Sequence, residues 1–289
     1  RQANLTVTPT APTIASVEYF ARDGATFPWY QASTPNAVYD ATGNKTWIVY
    51  ERWDGLERRA ALRIYDHASD EWSQTYDLFR CPIPDDDHGV PVLCFDSQGN
   101  AHVFGGGHNS AILWWSTSTP RDPSTFVRRG LIGGESSDGY GYPHPVVSGT
   151  TIFLFMRDNN GTGMPLVLRK ITGVNNGTGT VGGEFTVAQL ANTRCYIGWL
   201  IRNGNQVIIP VYGSNIADTE RRNVWMLVYD LTTGAVSNLA GDSTVAQSSL
   251  PVTLGSTHVA VDQIAAGKFG GFGFAERDAA GRLHLIYQQ

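Results

Sequence analysis

The stretch P-V-L-C-F-D-S-Q-G-N-A-H-V-F, residues 91–104, decides how this chain is read. Two short apolar runs flank the turn signal Asp96-Ser97-Gln98-Gly99-Asn100, which is the pattern of an antiparallel hairpin. The same unit recurs along the chain. A turn glycine followed by a β-branched and aromatic run begins at Gly43, Gly99, Gly149, Gly204 and Gly281, and the first four are preceded by an apolar strand. The intervals between these glycines are 56, 50, 55 and 77 residues. A period near 50 residues with several strands per repeat is that of a β-propeller blade. Further strands are expected after each hairpin, at 61–65, 112–116, 166–171 and 224–229, and almost nothing has the periodicity of an amphipathic helix.

The expectation is therefore an all-β chain, a β-propeller with four-stranded blades. The recurrence counts five blades, or six if the 77-residue interval hides part of another. The last repeat stops at Gln289 after its second strand. Strand-like runs at 5–8 and 15–20 are expected to supply its outer strands and close a single domain over residues 1–289.

Composition narrows the function. With 42% apolar and 16% charged residues in 289, the chain is ordinary globular material able to bury a large core. A net charge of −5 argues against nucleic-acid binding, which asks for a basic face. No apolar run approaches the ~18–20 residues that span a bilayer. Cys81, Cys94 and Cys195 include no C-x-x-C pair and allow one disulfide or none. The chain begins at Arg1 without Met or a signal-like segment, as expected of a terminus that is processed or cut from a longer protein. Oligomeric state is not legible.

Two spacings point to a site. His88 and His108 are equidistant from residue 98, inside the first turn, and Tyr142 and Arg157 are equidistant from the Gly149–Thr150 boundary. Residues equidistant from a hairpin turn face each other on antiparallel strands. All four should project to one rim of the channel from adjacent blades, outside the packed core. Singly, each has a plain reading: His88 as a turn residue, Tyr142 as a packed aromatic before Pro143, Arg157 as an exposed ion pair with Asp158. Together, two imidazoles, a phenol and a guanidinium are the parts of an acid–base site. His102 alternates with its neighbours inside a strand and reads as structural. Asp85, Asp86, Asp87, His88, His108 and His144 offer ligands for structural Ca or Zn. D-D-D-H is a loop run rather than a spaced motif, so no metal site and no cofactor is assigned.

The segments 85–110, Y-P-H-P-V (142–146) and F-L-F-M-R-D (153–158) resemble the BNR-repeat propellers of the ulvan-lyase group of polysaccharide lyases, over roughly residues 37–200. The resemblance implies β-elimination in a uronate-containing glycan, with an anionic polysaccharide as partner and an extracellular or secreted location. It implies that His88 and His108 are the histidine pair, Tyr142 the catalytic tyrosine, and Arg157 the arginine facing the uronate carboxylate. His144 and Asn109 are expected to border the pocket, and Tyr196 to form its far wall. Gly89 stands where the family often has Asn, and His144 where many of these lyases have Arg. A guanidinium suits a developing enediolate because its planar fork binds a carboxylate in bidentate fashion. The base is His88 or Tyr142. The non-enzyme alternative is a carbohydrate-binding or assembly propeller, for which Trp29, Tyr30, Trp53, Trp114, Trp115 and Trp199 would stack sugars. A sialidase is disfavoured because no S-x-D-x-G-x-T-W box is present.

Overall fold

The computed structural model describes residues 20–25, 33–82, 88–108, 110–133, 139–161, 163–190, 193–215, 221–254, 259–261, 274–278, 280 and 282–286. Among them there is no α-helix, and no helix is long and apolar enough to cross a membrane. The first sheet contains β1 (Ala37–Asp40), β2 (Lys45–Trp53), β3 (Arg58–Asp66), β4 (Glu71–Trp72) and β5 (Tyr76–Arg80). The second contains β6 (Val92–Phe95), β7 (Ala101–Gly105), β8 (Ile112–Thr117) and β9 (Phe126–Ile132). The third contains β10 (Tyr140–Ser148), β11 (Thr151–Asp158), β12 (Leu166–Asn175) and β13 (Thr178–Gln189). The fourth is built on β14 (Thr193–Ile197), β15 (Ile201–Asn203), β16 (Gln206–Asn215) and β17 (Arg221–Asp230). Four short strands follow: β18 (Val236–Ser237), β19 (Thr244–Val245), β20 (Val252–Thr253) and β21 (Val259–Val261). A final hairpin joins β22 (Phe274–Arg277) and β23 (Leu283–Ile286).

Consecutive strands pair antiparallel within each sheet, and β1, β6 and β10 lie side by side as inner strands. Apolar faces fill the spaces between successive sheets. Trp47, Val49 and Leu62 meet Leu93 and Val103; Phe104 and Trp114 meet Leu154 and Met156; Phe155 and Leu168 meet Val211 and Leu227. Ile201, Ile208, Met226 and Val228 then meet Leu283 of the final hairpin. Sheets stacked face to face in chain order, with inner strands adjacent, make a β-propeller. The long interval after Gly204 adds no separate sheet among the described residues. There β20 joins β13 in parallel, while β18, β19 and β21 extend the fourth sheet. Of the runs expected at 5–8 and 15–20 to close the ring, all but Phe20 lie outside the described residues.

The inner strand of the first sheet is composite. Ala37–Asp40 pairs with β2 near the turn, while residues 23–25 pair with its far end through a Gly24–Arg52 bridge. Ala25 N–H donates to Glu51 O at 3.0 Å, and Trp53 N–H donates to Asp23 O at 2.9 Å.

The hairpin of residues 91–104 carries its own buried brace. Asp96 Oδ1 accepts from Gln98 N–H (2.9 Å) and Asn100 N–H (2.8 Å), and Asp96 Oδ2 lies 3.3 Å from His102 Nε2. Trp114 Nε1–H donates to His102 Nδ1 at 3.1 Å. That bond requires a lone pair on Nδ1, so the ring is neutral with its proton on Nε2, directed at Asp96. Burial lowers the His102 pKa against the smaller opposing pull of Asp96. For Asp96, burial pushes upward, but bonds from His102 and from the Asn100 and Gln98 amides hold the carboxyl below its ordinary value. In both groups the unfolded chain binds more protons than the folded one as acid is added, so stability falls with pH, first below the ordinary histidine value of about 6.5. Denaturant titrations at pH 7.5 and 5.5 should therefore show a loss that is smaller in His102→Gln; equal losses in the two proteins would contradict the brace.

Candidate active site

The register of β6 and β7 is centred on residue 98, with Val92 opposite Phe104 and Phe95 opposite Ala101. Gly106 N–H donates to Gly89 O at 2.9 Å, so the pairing continues past the ends of both strands with its register shifted by one residue. His88 and His108 meet, as their spacing predicts, with rings stacked 4.1 Å apart and 14° from parallel. Glycine at 106 is needed here: its φ is +81°, and a Cβ would sit 2.7 Å from Pro82 Cδ.

The second hairpin departs from the simple spacing. Ser148 pairs with Thr151 and His144 with Phe155, but Gly141, not Tyr142, lies opposite Arg157. Tyr142 and Pro143 together oppose Met156, which is a β-bulge. Pro143 fits there because a bulge on an edge strand asks for no ladder N–H. Tyr142 takes φ +60°, a left-handed conformation costing a side-chain-bearing residue about 1–2 kcal/mol. The bulge turns the phenol ring toward both neighbours. Its centroid lies 6.0 Å from His88 and 6.1 Å from His108, and the Arg157 guanidinium carbon is 4.4 Å from it.

Arg157 also meets Tyr196, whose ring centre lies 4.5 Å from the guanidinium carbon; the two tyrosine rings, 5.5 Å apart, converge on it from adjacent sides. Arg157 Nε–H donates to Asn159 Oδ1 at 2.5 Å. Arg157 is only 3% exposed, no acidic side chain pairs with it among the described residues, and its Nη1 has no hydrogen-bond partner. Asn159 Nδ2 is likewise buried without an acceptor. Cation–π contacts offset part of the cost of burying this charge. A buried guanidinium nitrogen without an acceptor is otherwise costly, and a bound anion would satisfy it.

Two expectations are corrected. The site does not stand outside the packed core: Tyr142, Arg157 and Tyr196 are buried, because the fourth sheet packs over the end of the third. Nor does Arg157 pair with Asp158; adjacent strand residues point to opposite faces, and Asp158 Oδ1 instead accepts from Asn160 N–H. His144, one step deeper along β10, is fully buried with Nδ1 2.9 Å from Thr34 Oγ1. Asn109 lies outside the described residues, as do Asp85, Asp86 and Asp87; among the described residues no three His, Cys, Asp or Glu side chains converge on a metal position. All three cysteines are free and buried, and burial raises each thiol, so none is poised as a thiolate. Asn159 is the residue the spacing argument missed. Its signal was its place two residues after Arg157, on the same face.

Trp114 and Trp115 belong to packed clusters rather than to a sugar-binding surface. Trp29 and Tyr30 lie outside the described residues. Trp199 sits with Phe95 and Arg202 at the opposite, turn-side mouth of the channel.

These features define a β-propeller with a ring-lined cationic site at one end of its inner hairpins. Over residues 47–289 the sequence matches the BNR repeat-containing family, and the chain belongs to that family. It is 28% identical over 102 residues to an ulvan lyase of Alteromonas sp. (strain LOR), covering 33% of this chain and 20% of that protein. A second ulvan lyase, of Pseudoalteromonas sp. (strain PLSV), is also 28% identical over 102 residues, covering 32% of this chain and 19% of the relative. The matched stretch thus spans about a fifth of each curated relative. Among solved structures, a PL25 ulvan lyase bound to -[GlcA(1-4)Rha3S]- superposes with a TM-score of 0.77 at 19% identity, over 94% of this chain and 67% of that one. The polysaccharide lyase Uly1 gives 0.64 at 14% identity, over 96% and 71%. At these identities the likeness is one of fold.

Proposed function

We propose that the protein is a polysaccharide lyase that cleaves a uronate-containing glycan by β-elimination. The observation that carries this reading is Arg157, a buried guanidinium packed against both Tyr142 and Tyr196, its Nη1 unpaired, beside the stacked His88–His108 pair. The unpaired N–H would bind the uronate carboxylate. As the proton leaves the carbon beside that carboxylate, negative charge grows on the carboxylate oxygens, and a donor already in place stabilises it without reorganising. The electron pair forms the ring double bond, the bond to the departing glycosidic oxygen breaks, and that oxygen takes a proton. His88 or Tyr142 removes the first proton; a phenol or imidazolium in the same cluster returns one to the oxygen. No redox change is involved. Asn159 acts as a positioning residue, fixing the plane of Arg157 through Nε.

The lyase relatives lend support, and glucuronate linked to sulfated rhamnose, the ligand of the PL25 structure, is the first substrate to try. An activity of this kind belongs outside the cell. Incubation with ulvan and other uronate polymers should release product with the ultraviolet absorbance of an unsaturated uronate. Reducing ends without that chromophore would indicate hydrolysis instead, and binding without either would leave a carbohydrate-binding propeller.

A further inference from the structure

Trp53, the last residue of β2, is 47% exposed, and Leu56 in the adjoining loop is 88% exposed. Singly exposed apolar side chains are ordinary on a protein surface, so what matters is where the strand places them. The turns that join each inner strand to its partner, β1–β2, β6–β7 and β10–β11, lie at the other end of the sheets, so the end of β2 shares its face of the propeller with His88, His108 and Arg157. Strand alternation adds direction: Val49, Glu51 and Trp53 lie on one face of β2. Val49 packs with Leu93 and Val103 of the second sheet. Glu51 Oε1 lies 3.5 Å from the position a Cβ at Gly89 would occupy, beside His88. Trp53 is the next residue outward on this face, where the first sheet borders the histidine pair.

The loop that presents Trp53 is braced. Asp54 Oδ1 accepts from the amides of Leu56 and Glu57, both at 2.8 Å, and Gly55 supplies φ +98°. Arg59 bonds Asp54 Oδ2 at 2.5 Å and Glu57 at 2.7 Å, and Arg80 reaches Glu57 at 2.6 Å. Arg59, with the Glu57 and Leu56 amides, holds the Asp54 carboxyl down at about 2, so the brace is ionised at any physiological pH. Arg58, Arg59 and Arg80 each face a carboxylate. The loop therefore offers an aromatic face rather than a spare cation.

Resting on the lyase reading, we propose that Trp53 is a distal glycan subsite, stacking the C–H face of a sugar ring one or more residues from the bond cleaved. The occupant follows from continuity: β2 runs past Glu51, beside Gly89, to Trp53, next to the half-buried His88 and His108 rings, so a polymer chain reaching those histidines can continue over Trp53.

The test uses the whole chain, with Trp53→Ala and Trp53→Phe, in two readouts. Kinetics on the polymer and on the shortest oligosaccharide cleaved should show KM for the polymer rising about tenfold in Trp53→Ala, equivalent to about 1.4 kcal/mol. The polymer kcat and the short-substrate kinetics should hold, and Trp53→Phe should restore most of the loss. Gel retardation in a uronate polysaccharide should weaken in Trp53→Ala, and this readout needs no catalysis. If the wild type cleaves but Trp53→Ala matches it in KM and retardation, the subsite is refuted and the lyase reading stands. If the wild type binds without cleaving and Trp53→Ala weakens retardation, the subsite stands and the lyase reading fails. A wild type that neither cleaves nor is retarded overturns both.

Discussion

Arg157→Lys should lower turnover on the best uronate polymer about a hundredfold to a thousandfold, the effect of removing one preorganised donor to a developing oxyanion, roughly 3–4 kcal/mol. Lysine keeps the charge, but an ammonium has no plane to lay against Tyr142 and Tyr196, and it offers a mobile point contact in place of a donor fixed by the guanidinium plane. Burial also changes what is expected of stability. At the exposed position the spacing suggested, the swap would cost about half a kcal/mol or less. At 3% exposure against two rings, a more strongly hydrated ammonium must be buried, and a destabilisation of about 1–3 kcal/mol is expected. Arg157→Met separates the two effects. It removes a buried charge that has no acidic partner among the described residues, and replacing such a charge with an apolar side chain is often neutral or stabilising. The expected pair of results is a melting temperature equal to or above wild type with turnover lost, the signature of a residue kept for function at the expense of stability. A melting temperature several degrees below wild type would mean that the guanidinium is structural. An Arg157→Lys enzyme within a few-fold of wild type would remove Arg157 from the mechanism.

The reasons why some features were legible in the sequence, and others not, are local. Turn residues and a two-residue alternation specify hairpins strongly, so residues 91–104 and the strand at 112–117 fall where the pattern places them. The His88–His108 stack is close to what the same arithmetic gives: the register centred on residue 98 holds from Phe95–Ala101 to Val92–Phe104 and shifts by one residue only at the Gly89–Gly106 bond. At Tyr142 the arithmetic fails by one residue, since a bulge changes pairing without changing chain length. Y-P was the available signal: a proline can stand in a strand where the ladder is broken. The Arg157 cage was half visible, because Tyr196 lies on another sheet and burial of a charge cannot be read from spacing. The composite inner strand of the first sheet was not visible at all. Residues 23–25 pair with residues 51–53 across a separation that leaves no periodic trace. Trp114 shows the opposite limit, for its composition suited sugar stacking while its indole N–H is used within the core to fix His102.

Tyr142→Phe should cost turnover two to four orders of magnitude, the usual contribution of a positioned proton-transfer group, while leaving KM and the fold nearly unchanged. The substitution removes one oxygen and keeps the ring, so the Arg157 clamp, the bulge and the contacts with His88 and His108 all retain their walls. Loss of a single hydrogen-bonding hydroxyl changes stability by about 1 kcal/mol. Tyr142→Gly is the informative partner. Glycine relieves the left-handed backbone, about 1–2 kcal/mol, but deletes a ring that is 1% exposed, for which about 3–5 kcal/mol is typical of a large aromatic. The net expectation is a less stable protein despite a better backbone fit, with the guanidinium uncovered on one face and KM raised. The strained bulge is thus maintained by what the ring does. His88→Gln completes the comparison: if Tyr142→Phe is the more damaged of the two and its residual rate loses the limb of the pH profile seen in wild type, the phenol carries the proton. If Tyr142→Phe stays within about threefold of wild type and His88→Gln is inactive, the phenol is only a wall of the Arg157 cage. The imidazole then takes the proton, with His108 stacked 4.1 Å away to hold its plane.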